Sequence, residues 1–129
     1  MTDSWPLPKG MPVTLPTHRT LLLIKRDPDQ DPRPAEAIRS ALGLIAGEIP
    51  LSVYFFRESH SLLTATTDEL EDFADGEILK RFLPTLLQMA ERVYYEPGEK
   101  EDPLPENAVP LTLKELGRML PDFDHTIVF

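Results

Sequence analysis

The sequence predicts an α/β protein built on a mostly parallel sheet of roughly four to five strands, with helices covering both faces. Three observations carry that expectation. Short apolar runs of strand length alternate along the chain with stretches whose apolar residues recur every three to four positions. The first such run, Thr20 to Lys25 (TLLLIK), is nearly continuously apolar, the mark of a strand buried on both faces. The second, Leu51 to Phe56 (LSVYFF), is rich in β-branched and aromatic residues and follows an amphipathic stretch, as a crossover unit requires.

Residues 1–18 stand apart as a proline-rich arm. Pro6, Pro8, Pro12 and Pro16 fix φ and remove amide donors, so neither a regular helix nor a central strand is expected. Trp5, Leu7 and Met11 give the arm apolar side chains with which to pack onto the domain or onto a neighbouring chain. Residues 19–129 read as one α/β domain. After TLLLIK comes an acidic loop, Asp27 to Pro32, and then a helix with Pro34 in its first turn. Ile38, Leu42, Ile45 and Ile49 form its apolar stripe, Glu36, Arg39, Ser40 and Glu48 lie off it, and Gly47 and Pro50 end it. Beyond the second strand, Thr66-x-x-Glu69 is a capping box for a short helix carrying Leu70 and Phe73, and Asp75-Gly76 marks a turn. The next helical pattern carries Leu79, Phe82, Leu83, Leu86, Leu87 and Ala90, with Pro84 inside it, where a kink or restart is expected. Arg92 to Glu96 reads as a third strand and Pro97 to Pro110 as a proline-rich loop. Thr112-x-x-Glu115 is a second capping box, for a helix with Leu113, Leu116 and Leu120 that Pro121 stops, and Thr126 to Phe129 is the last strand. No internal repeat is visible.

Composition narrows the function classes. The chain of 129 residues is long enough to bury roughly two thirds of its unfolded surface. Thirteen Lys and Arg against 22 Asp and Glu give a net charge of −9 with no basic cluster, so direct nucleic-acid binding is not expected. There is no cysteine, hence no disulfide, thiolate metal site or thiol nucleophile. The apolar runs are too short to span a bilayer, and no secretion signal is visible, so a cytoplasmic protein away from the membrane is expected.

Ligands of open parallel sheets bind beyond the carboxyl ends of the strands. The acidic loop there spaces Asp27, Asp29 and Asp31 like a calcium loop, but Pro32 stands where glycine is needed and Ile38 where the last glutamate is needed, so no metal is read. The loop has no glycine and carries three carboxylates, which disfavours a nucleotide or flavin phosphate, and no cofactor is read. VYFFRESH, residues 53–60, ends the second strand in Arg57, Glu58, Ser59 and His60. Ser59 and His60 are sequence neighbours whose side chains diverge, and no glycine-framed nucleophile turn surrounds Ser59, so the segment reads as a buried strand surfacing at a pocket or interface. Tyr95 and Glu96 close the third strand, a tyrosine there suiting an interface.

The segments TLLLIK, AEAIRSALGLIAGEI, LSVYFFRES and LKELGRMLPDFDHTIVF, in this order, resemble the small sulfur-relay subunits of the DsrE/DsrF/DsrH and TusB/TusC/TusD family, over roughly residues 19 to 129. The resemblance implies a flavodoxin-like three-layer α/β sandwich that forms homo-oligomers, or hetero-oligomers with cysteine-bearing related subunits. In such families one subunit type carries persulfide sulfur on a cysteine just beyond the third strand. Here that segment reads VYYEPG, with Tyr95, Glu96 and Pro97 in place of the thiol. The resemblance therefore implies a non-catalytic, structural subunit of TusC/DsrF type, or a cysteine-free relative with a separate job, with the Pro97 to Pro110 loop as a departure from the pattern. Two other readings stay open on the residues alone. One is a small-ligand binder or enzyme in which Arg57 holds an anion and Glu58 or His60 moves a proton beside Glu96. The other is a domain that binds a partner through its acidic surface. Trp5, Tyr54 and Tyr95 are the exposed apolar and aromatic candidates for the interface of the subunit reading.

Overall fold

The structure, a computed structural model, describes residues 19–98 and 104–129. Its elements in chain order are β1 (Thr20–Ile24), α1 (Arg33–Ala46), β2 (Leu51–Phe55), α2 (Ser61–Thr64), α3 (Thr67–Glu71), α4 (Gly76–Met89), β3 (Arg92–Tyr95), β4 (Ala108–Pro110), α5 (Leu113–Met119) and β5 (His125–Val128). Single 3₁₀ turns follow β2 (Arg57–Ser59) and α5 (Leu120–Asp122). The five strands form one sheet in the order β4-β3-β2-β1-β5, and every neighbouring pair is parallel. The α/β architecture is thus the expected flavodoxin-like one, a sheet between two helical layers. The strand order differs from the 2-1-3-4-5 order of flavodoxin itself.

β1 and β2 are buried along their whole length, which explains their unbroken apolar character. Their side chains divide between two cores. Leu22, Ile24, Val53, Phe55, Val93 and Tyr95 face the layer of α1 and α4 and meet Ile38, Leu79, Leu83 and Leu86 there. Leu21, Leu23 and Tyr54 face the opposite side and meet Leu116 of α5 with the partly buried Leu111, Leu120 and Phe123. The second core is the smaller, since one seven-residue helix and one 3₁₀ turn supply its cover.

Both capping boxes form. Thr66 and Thr112 accept hydrogen bonds from the Glu69 and Glu115 amides at 3.3 and 3.1 Å, and the glutamates accept from the threonine amides at 2.7 and 2.9 Å. The bond from the Thr112 amide, then that involving the Thr112 hydroxyl, holds the Glu115 carboxyl below its ordinary range. Gly47 caps the end of α1 as expected, and the left-handed residue beyond it is Glu48, at φ 62°. Of the kink or restart expected at Pro84, the restart does not occur: α4 passes through it as one helix. The turn at Asp75-Gly76 forms, with Asp75 at φ 54° and Gly76 as the first residue of α4, where a Cβ would stand 2.3 Å from the end of α3. The proline-rich loop contains an unforeseen strand, β4, beside β3. The arm, residues 1–18, lies outside the described residues.

Candidate functional site

The strand order fixes where a site can lie. Successive strands step from β1 through β2 and β3 to β4, and the chain then returns across the sheet to lay β5 on the far side of β1. The direction of winding reverses between β1 and β5, and the carboxyl ends at such a reversal frame the crevice of an open α/β sheet. A cleft of about 750 Å³ opens there, lined by Lys25, Arg26 and Asp27 after β1, Arg33 and Glu36 at the start of α1, Glu58 after β2, and Val128 and Phe129 at the end of β5. The Lys25 amide donates to the Phe129 carbonyl at 2.8 Å, which closes the floor between the two strands.

The cleft carries three cationic and three anionic side chains, so its charge is nearly balanced and favours neither an anion nor a cation. Ligand pockets are ordinarily apolar with a few placed polar groups, and this one is chiefly charged. Several of its groups are already engaged. Arg26 lies 3.9 Å from the Asp31 carboxylate, Asp27 accepts the Asp29 amide at 3.0 Å, and Asp31 accepts the Arg33 amide at 2.9 Å. The Lys25 ammonium sits 5.9 Å from the centre of the Phe56 ring. Asp27 and Asp31 thus shape their own loop. Among the described residues no group of three or more His, Cys, Asp or Glu is arranged to hold a metal.

The residues singled out in sequence separate into three places. Ser59 is fully buried, and its hydroxyl donates to the Ile24 carbonyl at 2.7 Å with the Phe56 carbonyl at 3.1 Å. It is the rivet that turns the chain from β2 into the 3₁₀ turn, a role that leaves no hydroxyl facing a substrate. His60 is buried with it and packs its ring against Tyr95, centroids 5.9 Å apart. Arg57 and Glu96 do meet: the Arg57 amide donates to Glu96 Oε1 at 3.0 Å, and the Glu96 amide donates to the Phe55 carbonyl at 2.9 Å. The Arg57 guanidinium lies over Gly98, so closely that a Cβ on Gly98 would stand 2.3 Å from Nη1. Glu58 turns away from these residues and lines the charged cleft.

Two aromatic candidates for an interface need correction. Tyr54 is fully buried, and Tyr95 is only 7% exposed. β2 is the central strand and is covered on both sides, so Tyr54 points into the smaller core and donates its hydroxyl to the Leu111 carbonyl at 2.7 Å. Tyr95 lies on the larger core under His60. Trp5 lies outside the described residues. The cleft residues Lys25, Arg33 and Glu36 escaped notice because only the position of β5 brings them to a crevice, and strand order is not written in local patterning.

The expected effect of removing the Ser59 hydroxyl follows from this geometry. Ser59→Ala should lower stability by about 1 kcal/mol, since the Ile24 carbonyl keeps the Phe56 amide as a partner at 3.1 Å. A fluorophosphonate probe should leave the native chain unlabelled. Stoichiometric labelling lost on Ser59→Ala would instead make Ser59 a nucleophile.

Comparison with known proteins adds a likeness of fold. No family model matches the chain. No curated protein matches it. Among solved structures, the YchN protein of E. coli superposes with a TM-score of 0.69 over 87% of this chain and 99% of that one, at 16% sequence identity. At that identity the likeness is one of architecture, and it extends over nearly the whole of the E. coli chain. No helix among the described residues is long and apolar enough to cross a membrane.

Proposed function

We propose that this chain is a cysteine-free subunit of a sulfur-relay assembly of the DsrE/DsrF type, which binds related subunits and does not itself carry sulfur. The observation that supports this most is the carboxyl end of β3, where the resemblance in sequence implies a persulfide-bearing thiol. That place is filled by a buried phenol, Tyr95, and by Glu96, whose carboxylate is committed to the Arg57 amide. Neither side chain can form a persulfide, because sulfane sulfur needs a thiolate to attack and hold it. The sequence contains no cysteine. The fold likeness to YchN supports a place among proteins of this architecture. The Arg57 amide holds the Glu96 carboxylate and the Phe55 carbonyl holds the Glu96 amide directly after β3, which suits a scaffold better than a site that must hand over a reactive atom.

The test is one of assembly. The purified chain should run in native mass measurements as a multiple of 14.6 kDa, or should co-purify with a cysteine-bearing chain of similar size when the two are co-expressed. A chain that stays at 14.6 kDa and ignores such relatives at micromolar concentration overturns the proposal.

A further inference from the structure

Among the described residues, the face of the sheet under α1 and α4 is not covered to its margin. Between the C-terminal half of α1 and the outer strand β5 runs an open groove of about 310 Å³, walled by Leu44, Ile49 and Ile127, with Thr20 and His125 at one end. Its lining is almost wholly apolar. Among the described residues β5 is also an open edge. The amides of His125 and Phe129 are spent on the Arg19 and Leu23 carbonyls of the β1 side, so the alternation of the strand turns the N–H and C=O of Thr126 and Val128 outward.

We propose that this groove is filled by the chain's own N-terminal segment Met11 to Leu15 (MPVTL), docking within the same molecule. The first argument is where that segment joins the described structure. Arg19 is fixed at the groove's end: its amide donates to Asp124 Oδ2 at 2.8 Å, and its carbonyl accepts the Asp124 and His125 amides at 2.9 and 3.3 Å. Leu15 is four residues from that anchor, a reach of about 13 Å, and Met11 about 26 Å. Pro16 is the residue type that opens a chain reversal at this place.

The second argument is pattern. Met11, Val13 and Leu15 alternate with Pro12, Thr14 and Pro16, so an extended segment presents three apolar side chains on one side. Prolines preset that extended backbone and reduce the entropy lost on docking. The third argument is charge. Gly10 to Thr17 carries no ionisable side chain, so the segment enters an almost wholly apolar groove without burying a charge. Tethering adds an effective concentration in about the millimolar range. The inference goes beyond the subunit reading and stands whether or not the chain binds cysteine-bearing relatives.

The absence of cysteine makes the test clean, because any disulfide in a double variant joins the two introduced thiols. The full chain carrying Val13→Cys with Leu44→Cys, and a second carrying Leu15→Cys with Ile49→Cys, would be oxidised mildly and weighed intact. The expected result is an intrachain disulfide at monomer mass, formed about tenfold or more faster than in a control pair, Val13→Cys with Glu77→Cys. Glu77 lies in the first turn of α4, at the opposite end of the sheet. Crosslinks between chains would show that the groove takes the arm of a second copy, and rates equal to the control would show that it takes another occupant; either overturns the proposal.

Discussion

Truncating Tyr54 to alanine is expected to cost about 4 kcal/mol of stability, the scale of losing a large buried ring, whereas Tyr54→Phe should cost about 1 kcal/mol. The ring is fully buried on the central strand and meets the Phe56 ring edge-on, centroids 5.0 Å apart at 79°. Its hydroxyl ties β2 to the Leu111 carbonyl, 57 positions away, at the junction between β4 and α5. Alanine therefore opens a cavity under α5 and strands a carbonyl, and phenylalanine does only the second. Alkaline titration separates the two further. Burial first, and then the Glu96 and Glu115 carboxylates, push the Tyr54 hydroxyl from 10.0 up to about 12. A raised value means the fold favours the protonated phenol. That contribution is complete below about pH 10 and is lost as pH climbs from there through about 12. The urea midpoint of the native chain should fall more steeply across that window than that of Tyr54→Phe. Equal slopes would show that the phenol is not held as described.

Gly76→Ala should be nearly as damaging, at about 3 kcal/mol, or roughly 10 °C in Tm for a chain of this size. A Cβ there would stand 2.3 Å from the Leu70 carbonyl oxygen and 2.5 Å from that of Glu71. Both are backbone atoms at the end of α3, so no side chain can swing aside and the junction with α4 must open. The strain would spread, because the adjacent Ala74 amide donates to the Pro28 carbonyl at 2.9 Å and so pins this junction to the loop that follows β1. Gly43→Ala is the control. Gly43 is exposed on α1 with no atom within 4 Å of the new Cβ, so this change should stabilise by about 0.5–1 kcal/mol through helix propensity. Thermal melts of the two variants moving in the same direction would refute the close packing at the α3–α4 junction.

These expectations show what the sequence discloses and what it withholds. Local signals with a short-range physical cause were readable: the two Thr-x-x-Glu capping boxes, Pro34 in the first turn of α1, and the apolar runs of β1 and β2 all stand where patterning puts them. β4 was not readable, because three residues ending in proline carry no period and gain strand geometry only from pairing with β3. The same limit explains the two tyrosines. Alternation on β2 and β3 says that neighbouring side chains point to opposite faces, and only α5 on one side and α4 on the other decide that both faces are closed. Ser59 reads in sequence as part of a strand surfacing at a pocket or interface. Its actual partner, the Ile24 carbonyl, lies 35 positions earlier, and no local pattern announces it. Pro84 is the converse case: of the kink or restart it allows, the restart does not occur, because Leu79, Leu83 and Leu86 bury the helix on both sides of it.

The pairing of β5 with β1 carries a consequence for biosynthesis. Asp124 and Arg19, which clasp the foot of that pair, are 105 positions apart, so a ribosome adding about 5–20 residues per second leaves the outer flank of β1 bare for roughly 5–20 s. During that interval β1 to β4 can assemble on the α1 and α4 layer, while a naked apolar strand offers its unused amides and carbonyls to any nascent neighbour. On a polysome this is the period of greatest hazard from cross-pairing, and it ends when the final strand emerges and slots into place.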